Sequence, residues 1–189
     1  VRISAPKWRA LAEVAQQSFH DVFWNEEAGC LFDVVDEWHE RGRVDPSIRP
    51  NQLLAVGGLP WPIVTGERAR RVLDVAERLL WTPAGPRSLA PSDAAYRGRY
   101  AGDVRARDGA YHQGTVWPWL AGAFVEGWLR VHGEGDESRR AARERFVEPL
   151  VAHYAQSAPG QVGEVADGDA PHAPNGCPFQ AWSVGEMLR

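Results

Sequence analysis

The spacing of apolar residues divides the chain into helical stretches that are separated by long polar loops. Apolar residues recur every three to four positions from Pro6 to Phe19 and from Gly66 to Leu80, which is the period of a helix buried along one side. Thr65 is placed as the N-cap of the second helix, with Glu67 in its first turn. The stretch from Asp136 to Ala155 has the same period and a charged outer face, so it is predicted as a further amphipathic helix.

Other stretches carry different signals. The run from Thr115 to Val131 is the most apolar and is predicted as a buried helix. A short helix is predicted to start at Pro50, to run to Val56 and to stop at Gly57. Gln180 to Leu188 is predicted as a closing helix, whereas Asp21 to Val35 has a β-rich pattern around a polar turn and predicts a short hairpin.

Two stretches contain too many glycines and prolines for long elements, namely Trp81 to Gln113 and Pro159 to Pro178. Loops of this length inside a compact domain are usually functional. With about six helices and no internal repeat, the pattern predicts an all-α domain whose functional loops cluster at one end.

Charge and composition narrow the partners. The 189 residues include 21 Lys and Arg against 25 Asp and Glu, and the formal net charge of −4 argues against a nucleic-acid partner. No apolar run approaches the roughly 18 residues of a membrane span, and the start at Val1 lacks a signal-peptide pattern. No membrane partner is therefore expected. Two widely separated cysteines, Cys30 and Cys177, do not predict a disulfide scaffold, so a cytoplasmic location is expected.

Tryptophan is the most informative residue type, with nine copies. Aromatic faces outside a core commonly serve binding, and sugars are one class of ligand for them. The alternative, that most of these rings fill a helical core, stays open at this point.

The loop acids Glu164, Asp167 and Asp169 lie among glycines, which allow the backbone to approach a ligand closely. They are interpreted either as a source of a catalytic base or as three solvated acids on a surface turn. His112 precedes the most apolar helix, where unpaired N–H groups favour an acceptor. Because His112, His172 and Cys177 lack zinc-binding spacing, neither a metal nor a cofactor is predicted.

Polar and planar side chains of the kind that grip sugar hydroxyls are placed at loops and helix starts, and they occur in four blocks. The blocks are Arg49-Pro50-Asn51-Gln52, Tyr96-Arg97-Gly98-Arg99-Tyr100, Arg107-Asp108-Gly109-Ala110-Tyr111-His112-Gln113-Gly114-Thr115-Val116-Trp117-Pro118-Trp119 and Gln180-Ala181-Trp182-Ser183. In this order they strongly resemble the C-terminal portion of bacterial-type glycogen debranching enzymes, the amylo-α-1,6-glucosidase family. The resemblance runs from about residue 5 to the end of the chain.

The resemblance implies an (α/α)6 barrel, a toroid of twelve helices in two concentric rings, of which this chain supplies about half. Residues 1–189 are then expected to form the C-terminal part of a single glucosidase domain in a larger enzyme. The family hydrolyses α-1,6-linked glucose in glycogen or limit dextrin with inversion, using one carboxylic acid and one carboxylate base. The implied partners are glycogen, limit dextrin or maltooligosaccharide, together with self-association through exposed helix faces.

By position, Glu164 matches the general base of the family. The remaining residues assigned to substrate binding are Arg49, Asn51, Asp108, His112, Trp117 and Trp182. The family places its general acid in a Trp-Met-Asp block, which this sequence lacks, since its only methionine is Met187. A noncatalytic glycan-binding or interaction module of the same fold is therefore the alternative function, and a purely structural helical domain is a third interpretation.

Overall fold

The computed structural model describes residues 4–156 and 160–189, and about half of the chain is helical. The helices are α1 (Ala5–Phe23), α2 (Leu53–Val56), α3 (Gly66–Leu79), α4 (Val104–Ala110), α5 (Ala121–His132), α6 (Asp136–Ala142), α7 (Glu148–Ala155) and α8 (Ala181–Leu188). A π-helical turn, Arg143–Val147, joins α6 to α7, which confirms one continuous helix over the predicted stretch. Within the described ranges, no helix is both long and apolar enough to cross a bilayer.

Short antiparallel strand pairs connect the helices. They are β1 (Trp24–Asn25) with β2 (Cys30–Leu31), β3 (Val34–Val35) with β4 (Val44–Asp45), β5 (Trp81–Thr82) with β6 (Gly85–Pro86), and β7 (Val165–Ala166) with β8 (Pro174–Asn175). The first pair confirms the predicted hairpin, with Asn25 opposite Cys30. The predicted hairpin began too early, however, because α1 continues to Phe23.

The main core lies where α2 and α3 pack on α5. Leu53, Val72, Leu73, Phe124 and Phe146 are fully buried there. By contrast, the described part of α1 buries no residue, and its apolar side chains Trp8, Leu11, Val14 and Val22 are exposed.

A backbone ladder links three segments that are distant in the sequence. Val116 donates its N–H to the carbonyl of Ala166 at 2.8 Å, and Ala166 donates back at 3.0 Å. On the other side Val116 bridges to Arg87. Ala166 lies in β7, which also pairs with β8. The ladder therefore places the block at 111–119 directly beside the loop that carries the acids.

The ladder explains one wrong prediction. The helix predicted from Thr115 begins only at Ala121, after a 3-10 turn at Pro118–Leu120. Residues 115–117 are extended because Val116 pairs on both sides and Trp117 donates its N–H to Pro86. A local apolar pattern cannot report pairing with residues fifty positions away.

The predicted long loops also contain structure. Between Trp81 and Gln113 lie the β5–β6 hairpin and α4, whose N-cap Asp103 accepts a hydrogen bond from the Ala106 N–H at 2.8 Å. In the second loop, Pro159 lies outside the described residues, and the part from 160 to 178 holds the β7–β8 pair.

The other helices are confirmed. The short helix from Pro50 ends at Val56 with Gly57 as its C-cap, and α3 starts after Thr65. Thr65 is at the N-cap, although its side chain makes no capping hydrogen bond. The chain is therefore about half helical with short strand pairs, which agrees with a partial helical fold, whereas the described helices do not close into a barrel and the toroid stays a proposal.

Candidate active site around Glu164

Glu164 lies immediately before β7, at the edge of the backbone ladder. Its main-chain N–H donates to the carbonyl of Cys177 at 2.8 Å, which fixes the Glu164 backbone against the returning strand. Its half-buried carboxylate accepts two hydrogen bonds, one on each oxygen. The Tyr111 hydroxyl donates to Oε1 at 2.6 Å, and the Cys177 N–H donates to Oε2 at 2.9 Å.

The turn beside this carboxylate depends on Gly176, whose φ of +71° lies in the left-handed region. A Cβ at this position would lie 2.5 Å from Glu164 Oε2. Two reasons therefore favour glycine at position 176: its backbone conformation, and the Glu164 carboxylate, which occupies the space a Cβ would need.

Aromatic rings form a continuous cluster next to Glu164. The Tyr111 ring is in edge contact with Trp117 at 4.8 Å between centroids, and His112 stacks on Trp117 at 5.1 Å with an interplanar angle of 4°. Trp117 meets Trp182 at 6.2 Å, and Trp182 stacks on Trp119 at 5.6 Å. The structure thus brings together Glu164, His112, Trp117 and Trp182, which the sequence analysis proposed as site residues.

The two tryptophans in this set differ in exposure. Trp117 is 7% exposed and donates its indole N–H to the Tyr111 carbonyl at 3.0 Å, so it supports the cluster from behind. Trp182, at the start of α8, is 49% exposed, so about half of its side chain stays accessible although it stacks on Trp119.

Arg49 is bound to protein atoms that hold the same block. Its guanidinium donates to the carbonyl of His112 at 2.6 Å, to the carbonyl of Ser88 at 3.2 Å and to Gln113 Oε1 at 2.8 Å. Its Nε lies 3.5 Å from Asp33 Oδ2. In this arrangement Arg49 orients the backbone at His112, and its predicted contact with a glucose hydroxyl stays a prediction.

Asn51 joins the same network, since its amide donates to Asp33 Oδ1 at 3.2 Å. Asp33, Arg49 and Asn51 line one side of a cavity of about 240 Å³. Burial raises the pKa of Asp33, and this effect outweighs the opposing hydrogen bond from Asn51 and the charge of Arg49. Asp33 could not be recognised from the sequence, because a single acid within a predicted hairpin carries no motif.

Other acids near the site have structural partners. Asp167 is 6% exposed and accepts from the Tyr100 N–H and the Asn175 amide, both at 2.9 Å. Asp169 accepts from the Tyr96 hydroxyl at 3.1 Å. The interpretation of three solvated acids is thus wrong for Asp167, which is a buried anchor.

Asp108 is the one proposed site residue that the described contacts leave outside the cluster. It is exposed on α4, and only its carbonyl is connected to the site, through a 3.4 Å hydrogen bond from the Tyr111 N–H. Within the described ranges, no group of three or more His, Cys, Asp or Glu is arranged to hold a metal ion.

Electrostatics keep two side chains of the aromatic cluster uncharged. Burial, followed by the charge of Arg49, lowers the pKa of His112 below its ordinary 6.5, so the imidazole is neutral at pH 7. Burial and then the hydrogen bond to Glu164 raise the pKa of Tyr111 above its ordinary 10, so the phenol keeps its proton. Tyr111 was part of a quoted sequence block, but no local signal indicated that its hydroxyl meets Glu164.

Comparison with known proteins places the chain in a family. Residues 2–189 match the amylo-alpha-1,6-glucosidase family, and the chain belongs to it. The chain is similar to the glycogen debranching enzyme of Saccharomyces cerevisiae, with 28% identity over 162 residues that cover 76% of this chain and 10% of the relative. It spans about a tenth of the length of that curated relative.

Proposed function

We propose that this chain carries the base side of an α-1,6-glucosidase active site that acts on glycogen or limit dextrin by inversion. The observation that supports it most directly is the position of Glu164, a half-buried carboxylate held on both oxygens beside an aromatic cluster. Family membership and the similarity to a glycogen debranching enzyme support the same substrate class.

The chemistry requires a carboxylate that can take a proton from water. A carboxylate offers about four lone-pair positions, and the two protein hydrogen bonds occupy one on each oxygen. Glu164 therefore retains acceptor capacity for the attacking water. Inversion further requires an acid about 6.5–9.5 Å from the base, on the opposite face of the sugar.

We assign the acid to a part of the enzyme outside this segment. Of the two acids in this segment that could replace it, Asp103 caps α4, and Asp108 is exposed on α4 with only its carbonyl connected to the site. Asp167 is a buried anchor. The sequence also lacks the block in which the family places its acid. In the proposed enzyme, residues 1–189 are the C-terminal part of one (α/α)6 domain, and other helices pack on the exposed apolar face of α1.

Substrate contacts follow from the same arrangement. Trp182 is proposed to stack on a glucose ring, because its face is half exposed next to Glu164's aromatic neighbours. His112 is proposed to bind a sugar hydroxyl as a neutral imidazole. Trp117, Arg49, Asn51 and Asp108 complete the proposed set, the first two of them mainly by holding the loop in place.

The test is Glu164→Gln in the full-length polypeptide, with glucose release from limit dextrin as the measurement. Removal of a general base should lower kcat by about 10²–10⁴-fold. Glu148→Gln is the matched control, because Glu148 lies exposed on α7 and pairs with Arg143. Near-normal glucose release by the Glu164 variant would reject the proposed base.

The alternative of a noncatalytic glycan-binding module is tested with the same assay. The isolated segment should bind maltooligosaccharide without releasing glucose, because it lacks an acid, and it should self-associate through exposed apolar helix faces. If the full-length polypeptide also binds glycan and releases no glucose, the binding module is the correct function.

A further inference from the structure

Tyr111 is held at its main-chain carbonyl and at its ring. Its carbonyl accepts hydrogen bonds from the Thr115 hydroxyl at 2.5 Å and from the Trp117 indole at 3.0 Å. Its ring is in contact with the rings of Tyr100, His112 and Trp117, at centroid distances of 5.7, 4.8 and 4.8 Å. These contacts leave the phenol hydroxyl with little freedom to move.

That hydroxyl donates to Glu164 Oε1 at 2.6 Å, which is in the range of a strong hydrogen bond to a carboxylate. The Cys177 N–H holds the other oxygen at 2.9 Å. Donors on both oxygens set the rotation of the carboxylate about its terminal bond, a torsion that is otherwise broad for glutamate. Of the two donors, only the one from Tyr111 is a side chain that substitution can remove.

From this geometry we infer that Tyr111 is a positioning residue for Glu164, because its hydroxyl holds the carboxylate in the single orientation from which it accepts a proton from water. The inference rests on the proposed function, in which Glu164 is the base. It assigns no proton transfer to Tyr111 itself. A misplaced base slows the chemical step but leaves substrate binding largely unchanged, so removing the hydroxyl should lower kcat rather than raise KM.

Protonation agrees with a donor role. Burial and Glu164 both raise the pKa of Tyr111 above its ordinary value, so the phenol remains a donor throughout the neutral range. The reverse arrangement, in which the phenolate accepts, is thereby disfavoured.

The experiment compares Tyr111→Phe with Tyr154→Phe in the full-length polypeptide. Both variants delete a tyrosine hydroxyl that donates a hydrogen bond, but Tyr154 donates to the main-chain carbonyl of Ala84 at 2.9 Å. Tyr111→Phe should lower kcat about 10- to 100-fold, the effect of one hydrogen bond to a charged group, and leave KM within about twofold. Tyr154→Phe should leave both constants within about twofold of wild type.

A double-mutant cycle shows whether Tyr111 acts through Glu164. If it does, adding Tyr111→Phe to Glu164→Gln should lower kcat by no more than about twofold beyond the single Glu164 variant. A further 10- to 100-fold loss in the double variant would overturn the inference. A purely structural role predicts that further loss, because damage to the fold does not depend on the base.

The remaining outcomes are also decisive. A Tyr111→Phe variant with kcat within about twofold of wild type, or with only KM raised, refutes positioning while the base assignment stands on Glu164→Gln alone. If Glu164→Gln keeps normal activity, the proposed base fails, and so does the inference. Tyr111→Leu adds a control for packing, because a loss in that variant alone assigns the effect to the ring rather than the hydroxyl.

Discussion

Gly176→Ala is the substitution that most directly displaces the proposed base, Glu164, without replacing it. Gly176 has φ of +71°, and an added Cβ would lie 2.5 Å from Glu164 Oε2. Ordinary contact begins at 3.4 Å, so the carboxylate oxygen must retreat by about 0.9 Å. A displacement of about 1 Å at a reacting group can cost on the order of 10²-fold in rate.

The substitution also strains the backbone, and this second effect has to be separated from the first. A non-glycine residue in the left-handed region costs about 1–2 kcal/mol. Gly42→Ala is a matched control, because Gly42 has φ of +81° and its added Cβ meets nothing within 4 Å. Both variants should therefore lose a similar part of their stability to backbone strain.

The assay measures two quantities on each full-length variant, namely kcat for glucose release and the midpoint of urea unfolding. We expect Gly176→Ala to lower kcat by about 10²-fold and Gly42→Ala to leave it within about twofold. The unfolding midpoints should both fall. Equal kcat values for the two variants would refute the reasoning, because they would show that the position of the Glu164 carboxylate does not limit the reaction.

Three further predictions concern the surroundings of the base. Trp182→Ala should weaken maltooligosaccharide binding measured by calorimetry, whereas Trp61→Ala, which removes an 83% exposed ring elsewhere, should not. Equal affinities of the two variants would reject the proposal that Trp182 stacks on a glucose ring. Arg49→Lys should lower kcat/KM about tenfold or more, because lysine cannot hold the His112 carbonyl and the Gln113 side chain together as the planar guanidinium does. Unchanged kinetics would show that Arg49 does not orient the backbone at His112. Because folding lowers the pKa of His112, its contribution to stability is complete above pH 6.5 and is lost as the pH falls through the pKa of the folded state. His112→Gln should therefore flatten the pH dependence of urea unfolding below pH 6.5. If the stability of the variant and of wild type fell in parallel with pH, this prediction would be contradicted.

Elements defined by local periodicity could be predicted from the sequence. The helix α3 carries its apolar stripe and its N-cap position within fifteen consecutive residues, so its start was found at the correct residue. The hairpin β1–β2 was found for the same reason, since turn and strands are adjacent. Neighbouring residues supply the decisive interactions in both elements.

Elements defined by distant partners could not be predicted. Val116 lies in an apolar run with helical spacing, yet it is extended because it pairs with Arg87 and Ala166. The helix α4 lies among glycines and prolines, and its start depends on one hydrogen bond that the Ala106 N–H donates to Asp103. In both cases the local pattern was compatible with more than one backbone, and a specific hydrogen bond selected one of them.

The three acids between residues 164 and 169 show why this limit matters for function. They share a glycine-rich loop and are indistinguishable by composition, but each has a different partner from the preceding loops. Asp167 is buried and accepts a hydrogen bond from the Tyr100 N–H. Asp169 accepts one from the Tyr96 hydroxyl, and Glu164 accepts one from the Tyr111 hydroxyl. Of the three partners, Tyr111 lies at the centre of the aromatic cluster, in contact with both His112 and Trp117. What sets Glu164 apart from the other two acids is therefore a contact with a residue more than fifty positions away, and the proposal that it is the base rests on that contact as well as on its own loop.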